Sequence, residues 1–93
     1  LNISGFFLIE KYLQDQSCST KRTGHNIISR YTGAPESDYY ILLCSHHDTV
    51  KANSAYTRDP FSGEIEDGKI FGLGANDAGA SLVSLIYAFV YLA

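Results

Sequence analysis

Apolar residues near the start of the chain recur at the spacing of one helix face, with polar residues between them. The apolar positions are Phe6, Ile9, Tyr12 and Leu13, and the polar positions are Glu10, Lys11, Gln14 and Asp15. This pattern predicts a surface helix from about Gly5 to Gln16. The polar cluster SCSTKRTG then interrupts the pattern, and the composition of Asn26–Tyr31 predicts a strand.

The middle and the end of the chain carry stronger patterns. Tyr39–Cys44 is an unbroken apolar run, which predicts a strand covered on both faces. Asp67-Gly68, between two short alternating runs, predicts a hairpin. A helix is predicted from Ala78 onward, with its buried side formed by Leu82, Leu85, Ile86, Phe89 and Val90. The order helix, strand, strand, hairpin, helix predicts an α/β layered sheet.

Composition and charge limit the expected size, partners and cellular compartment of the protein. The chain has 93 residues, 45% apolar and 18% charged, which fits one small domain. It contains no Met and stops inside an apolar run, so we expect a fragment of a longer protein. The net charge of −3 is mild and the basic residues are scattered, so nucleic acid is not an expected partner. Two cysteines without a CxxC pair favour a reducing, cytoplasmic setting.

A membrane span is not expected either. The longest apolar stretch, LVSLIYAFVYLA, falls well short of the roughly 20 residues that cross a bilayer, and Ser84 interrupts it. We therefore interpret this stretch as a core helix.

Candidate chemistry begins where the predicted strand at Tyr39–Cys44 ends. His46 and Asp48 are two positions apart, so on a continuing strand they would lie on one side, with His47 on the other. A neutral imidazole is a good zinc ligand, and a carboxylate on its second nitrogen would orient it. HxD is nonetheless a weak pattern, because a solvated pair in a loop would have the same sequence.

Asp77 follows a glycine-rich bend and precedes the predicted C-terminal helix. It could ligate a metal, or it could be an N-cap, the usual role of Asp at such a position. The segment from Gly72 to Asp77 begins as GxG, but Asp77 stands where a dinucleotide-binding GxGxxG motif needs its third glycine. His25 is better interpreted as a turn residue, and His47 as a packing or hydrogen-bonding residue.

Together, SHHDTV, RDPF and DGKIFGLGANDAGAS resemble the signature of two-zinc amidohydrolases and peptidases. This family includes acetylornithine deacetylase, succinyl-diaminopimelate desuccinylase, aminoacylase and glutamate-releasing carboxypeptidases. The resemblance covers about Ile41 to Leu85, and the ending GLGANDAGAS is most similar to the acetylornithine deacetylase branch. Many relatives have Gly where Ser45 stands, and Met-Lys-Gly where this chain has Ala78-Gly79-Ala80.

The resemblance implies roles for individual residues. His46 would bind one zinc, Asp77 would bridge two zincs, and Asp48 would orient His46 as a catalytic residue. Cobalt could replace zinc. The general base, the remaining ligands and the dimerisation domain would lie outside this chain, since no Glu-Glu pair occurs here. Residues 1–93 would then be the N-terminal part of a three-layer α/β/α catalytic domain with a mixed sheet.

The expected function is zinc-dependent hydrolysis of the amide bond of a small N-acyl amino acid, foremost N-acetylornithine in arginine biosynthesis. Succinyl-diaminopimelate desuccinylase and dipeptidase are alternatives within the family. An alternative of another class is a non-catalytic α/β binding module that has kept the motif. We expect the full-length enzyme to be a homodimer and the isolated 93 residues to be inactive.

Overall fold

The computed structural model describes residues 3–33 and 36–93, with side chains from residue 5 onward. Its elements are helix α1 (Ile3–Asp15), strands β1 (Ser19–Thr23), β2 (Asn26–Arg30), β3 (Glu64–Glu66) and β4 (Lys69–Phe71), a kinked helical segment (Ala75–Ala80) and helix α2 (Ser81–Leu92). Within the described residues the strands form two separate antiparallel pairs, β1 with β2 and β3 with β4.

Helix α1 packs on the hairpin formed by β1 and β2. Its predicted apolar face is confirmed, because Leu13 is 6% exposed and Phe6, Ile9 and Tyr12 are half-buried. Arg22 of β1 forms an ion pair with Glu10 and lies over the ring of Phe7, 4.4 Å from its centroid. These contacts fix the helix against the strand that follows it.

The first hairpin was predicted only in part. Strand β2 matches the prediction for Asn26–Tyr31, and His25 lies in the turn, as expected. Strand β1 was missed because its sequence STKRT has no apolar alternation. Strand β1 is held by its pairing with β2 and by a hydrogen bond of 3.0 Å between Thr20 Oγ1 and Ser29 Oγ. Neither interaction produces a hydrophobic pattern in the sequence.

The second hairpin confirms the prediction from Asp67-Gly68. Both residues have positive φ, 51° and 73°, as a type I′ turn requires. Arg58 connects the hairpin to the preceding loop through two ion pairs. Its Nη1 lies 2.6 Å from Glu66 Oε2 and 3.3 Å from Glu64 Oε1. Its guanidinium also stacks on Phe71, 3.8 Å from the ring centroid.

Helix α2 begins at Ser81 and turns the predicted apolar side inward, although none of its residues is fully buried. The less exposed positions are Leu82, Leu85, Ile86, Phe89 and Val90. Tyr87 makes an edge-to-face contact with Tyr12 of α1, with ring centroids 5.7 Å apart. Taken with the kinked segment, Ala75–Leu92 is long and apolar enough to span a membrane by length and composition. A single such helix is weak evidence for a membrane span, and the backbone at Asp77 and Ala78, inside this stretch, is not helical.

The strand predicted at Tyr39–Cys44 is wrong for this structure. These residues have no regular secondary structure, and Tyr39, Tyr40, Ile41 and Leu42 are 86–92% exposed. A strand needs a hydrogen-bonded neighbour, and no strand among residues 3–33 and 36–93 pairs with this run. The layered mixed sheet is therefore not formed by the described residues, although these residues contain both helices and strands.

Candidate metal site

His46 lies between two carboxylates. Its Nδ1 atom is 3.1 Å from the carbonyl oxygen of Asp48 and 3.2 Å from the Asp48 carboxylate oxygen Oδ1. On the opposite side of the ring, Nε2 lies 3.1 Å from Asp77 Oδ1. The structure thus brings together all three residues singled out in the sequence, although the strand expected to carry His46 and Asp48 is absent.

Asp48 and Asp77 reach His46 from segments without regular backbone geometry. Residues 45–50 have neither helix nor strand, so Asp48 reaches His46 from a segment without regular secondary structure. Asp77 has φ −116° and ψ 93°, which takes its side chain out of helical register. No side-chain capping hydrogen bond occurs at the start of the kinked segment or of α2, so the N-cap interpretation of Asp77 is wrong.

The electrostatics of the site favour positive charge, either a proton on His46 or a cation that takes its place. The hydrogen bond to the carbonyl of Asp48 raises the pKa of the imidazole, the negative charges of Asp48 and Asp77 raise it further, and partial burial opposes them. The site is open, since the side chains of His46, Asp48 and Asp77 are 51%, 78% and 86% exposed. A cation can therefore approach from solvent.

The donor set fits a metal ligand pair. Zinc binds imidazole nitrogen and carboxylate oxygen at about 2.0–2.2 Å, so donors 3.1 Å apart can share one ion. Asp48 faces the other ring nitrogen and therefore does not converge on the same point. In agreement, the described residues contain no group of three or more His, Cys, Asp or Glu side chains able to hold a metal.

A cavity of about 430 Å³ adjoins these side chains. Its lining includes His46, Asp48 and Asp77 together with residues that the sequence analysis did not select, among them Thr49, Tyr56 and Gly74. The signal that could have found two of these is proximity in sequence, since Thr49 follows Asp48 and Gly74 begins the bend before Asp77. His47 is half-buried, and its Nε2 has no hydrogen-bond partner in the described part of the chain.

Comparisons with known proteins agree on one family. The model of peptidase family M20/M25/M40 matches residues 42–93, more than half of the chain. A succinyl-diaminopimelate desuccinylase of Cereibacter sphaeroides strain ATCC 17029 is 43% identical over 89 residues, covering 89% of this chain and 23% of that protein. The desuccinylase of strain ATCC 17025 is 30% identical with the same coverage.

A Beta-Ala-Xaa dipeptidase of Lactobacillus delbrueckii subsp. lactis is 45% identical over 49 residues, covering 50% of this chain and 10% of that protein. The chain therefore spans less than a quarter of the length of these relatives. No solved structure gives a significant match. The matched residues 42–93 include His46, Asp48 and Asp77.

Proposed function

The chain belongs to peptidase family M20/M25/M40, and from this premise we propose that the whole protein is a metal-dependent hydrolase of amide bonds. The observation that carries the proposal is the position of His46 between Asp48 and Asp77. The Asp48 carboxylate orients the imidazole, and the Asp77 carboxylate would bind a cation together with Nε2 of His46. This arrangement is typical of a ligand histidine with its supporting acid.

Each of the three residues has a defined task in this proposal. His46 Nδ1 donates a hydrogen bond to the carbonyl oxygen of Asp48, and the Asp48 carboxylate lies 3.2 Å from the same nitrogen, so that both groups favour a proton on Nδ1. The lone pair on Nε2 is then directed toward Asp77, and His46 and Asp77 would hold the metal. A bound pair of zinc ions would lower the pKa of a water molecule and offset the charge that develops on the amide oxygen. Cobalt is an alternative metal.

The proposed substrates are small N-acyl amino acids and dipeptides. The relatives named above are a desuccinylase of succinyl-diaminopimelate and a Beta-Ala-Xaa dipeptidase, and both names imply cleavage of an amide bond. N-acetylornithine deacetylation remains a finer proposal, supported by the sequence GLGANDAGAS. We further propose a homodimer in the cytoplasm, a reducing compartment in keeping with free thiols at Cys18 and Cys44. The completed domain would have three α/β/α layers.

Asp77→Ala in the full-length protein tests the proposal. We expect the variant to remain folded, to lose bound zinc and to lose hydrolysis of N-succinyl-diaminopimelate, β-alanyl dipeptides or N-acetylornithine, whichever the wild type cleaves. Metal content is measured by atomic emission after zinc supplementation, and folding is measured by circular dichroism. Asp67→Asn, in the turn of the second hairpin, is the control that removes a carboxylate away from the site.

The rival interpretation, a non-catalytic binding module, gives a different outcome. A wild-type protein that holds neither zinc nor cobalt after supplementation would contradict the proposed function. So would an Asp77→Ala protein that keeps its metal and its activity.

A further inference from the structure

The two halves of the candidate site are held together by few contacts. Among the described residues, no backbone-to-backbone hydrogen bond outside helices and strands involves residues 45–50, which carry His46 and Asp48. The position of this segment relative to Asp77 must therefore depend on side-chain contacts. Besides the His46–Asp77 pair, the two halves meet where the side chain of Thr49 lies against Gly74.

Gly74 belongs to a tight turn around Asp77. Its φ of 77° lies in the left-handed region, and its carbonyl oxygen accepts a hydrogen bond of 2.7 Å from the backbone N–H of Gly79. This hydrogen bond closes a loop of backbone that contains Asp77. A displacement of Gly74 therefore moves the carboxylate that faces His46.

Thr49 leaves no room for a side chain at Gly74. A Cβ atom built on Gly74 would overlap Thr49 Cγ2, and it would lie 3.6 Å from Thr49 Cβ. The conflict thus involves one methyl group, because 3.6 Å is an ordinary van der Waals separation. Thr49 also follows Asp48 directly, so pushing it away would shift the segment that holds His46.

Resting on the proposed function, we propose that Thr49 and Gly74 are positioning residues for the metal site. Their contact sets the distance between His46 Nε2 and the Asp77 carboxylate. The Thr49 methyl group occupies the space that is free because Gly74 has no side chain. The hydroxyl of Thr49 has no part in this role.

The test uses four variants of the full-length protein, with zinc affinity measured by competition against a chelator. Gly74→Ala should lower the affinity at least about tenfold, within the range that misplaced supporting residues cause. Adding Thr49→Ala to Gly74→Ala should recover most of that loss, because the overlapping methyl is gone. Thr49→Val keeps the methyl and should bind zinc within about threefold of the wild type.

The fourth variant, Gly68→Ala, separates the effect of backbone strain from the effect of the Thr49 contact. Gly68 has φ 73°, close to that of Gly74, but a Cβ there meets nothing within 4 Å. Gly68→Ala should lower the melting temperature of the metal-free protein while leaving zinc affinity unchanged. Gly74→Ala should change both.

The outcomes distinguish this inference from the function on which it rests. A wild-type protein without metal would overturn the proposed function. A wild type that binds zinc, with a Gly74→Ala defect that Thr49→Ala does not relieve, would overturn the positioning role alone. Loss of zinc affinity in Thr49→Val would also overturn it, since the hydroxyl would then be the functional group.

Discussion

His46 is oriented by two different groups of the same residue. The carbonyl and the carboxylate of Asp48 both lie within 3.2 Å of Nδ1, whereas the Asp77 carboxylate lies 3.1 Å from Nε2. Because the carbonyl stays in place when the side chain changes, Asp48 has two separable contributions. The carbonyl fixes the tautomer, and the carboxylate adds negative charge that makes the imidazole a stronger base.

Asp48→Asn in the full-length protein isolates the carboxylate. The amide has nearly the same shape but no charge, so we expect zinc affinity to fall by about 10–100-fold, the usual effect of losing a supporting carboxylate. Asp67→Asn serves as the matched control, because Asn-Gly is equally suited to its hairpin turn. Chelator competition measures both variants, and equal affinity in Asp48→Asn and the wild type would assign the whole orienting role to the carbonyl.

At the residue scale, the sequence predicted which side chains come together in the site, but not which residues set the distances between them. His46, Asp48 and Asp77 could be selected because imidazole and carboxylate groups carry the chemistry. Proximity in sequence points to Thr49 and Gly74 as neighbours of the site, but their contact could not be predicted, because it exists only when two distant segments touch. The N-cap alternative for Asp77 was equally compatible with the sequence, and the start of α2 at Ser81, with Ala80 at its N-cap, decides against it.

At the scale of elements, helix α1 depends on one buried side chain. Leu13 is the one buried apolar residue among the described positions, at 6% exposure, whereas Leu8 on the same helix is 68% exposed. Leu13→Ala should lower the free energy of unfolding by about 2–5 kcal/mol. Leu8→Ala should change it by no more than about 0.5 kcal/mol.

Urea denaturation of the full-length protein, followed by circular dichroism, measures both leucine variants. The comparison removes helix propensity as an explanation, because both substitutions replace Leu with Ala within one helix. Equal losses in the two variants would show that Leu8 is also enclosed in the complete protein.

Elements were predictable where their signal is local. The Asp67-Gly68 turn and the amphipathic faces of both helices depend on neighbouring residues, and the structure agrees with each. Strand β1 was missed because a polar hairpin strand has no hydrophobic period. The strand at Tyr39–Cys44 was wrong for the opposite reason, because its strong apolar pattern requires neighbours that the described residues do not supply.

At the scale of the whole molecule, the chain exposes an unusual amount of apolar surface. Tyr39 and Tyr40 are 91% and 92% exposed, and Phe61, Ile65 and Tyr91 are also largely exposed. Exposed apolar side chains in this number are typical of a surface that further parts of a protein or a partner cover. This fits the coverage of the curated desuccinylases, of which the chain spans 23%.

The 93 residues expressed alone should lack a working metal site. A catalytic zinc site takes three protein ligands, and the described residues direct only His46 and Asp77 at one point. We therefore expect zinc binding far weaker than in the full-length protein, and no hydrolysis of N-acyl amino acids or dipeptides. The same segment carrying Asp77→Ala supplies the background for adventitious zinc. Amide hydrolysis by the purified segment, absent from the Asp77→Ala preparation, would show instead that the two donors suffice for catalysis.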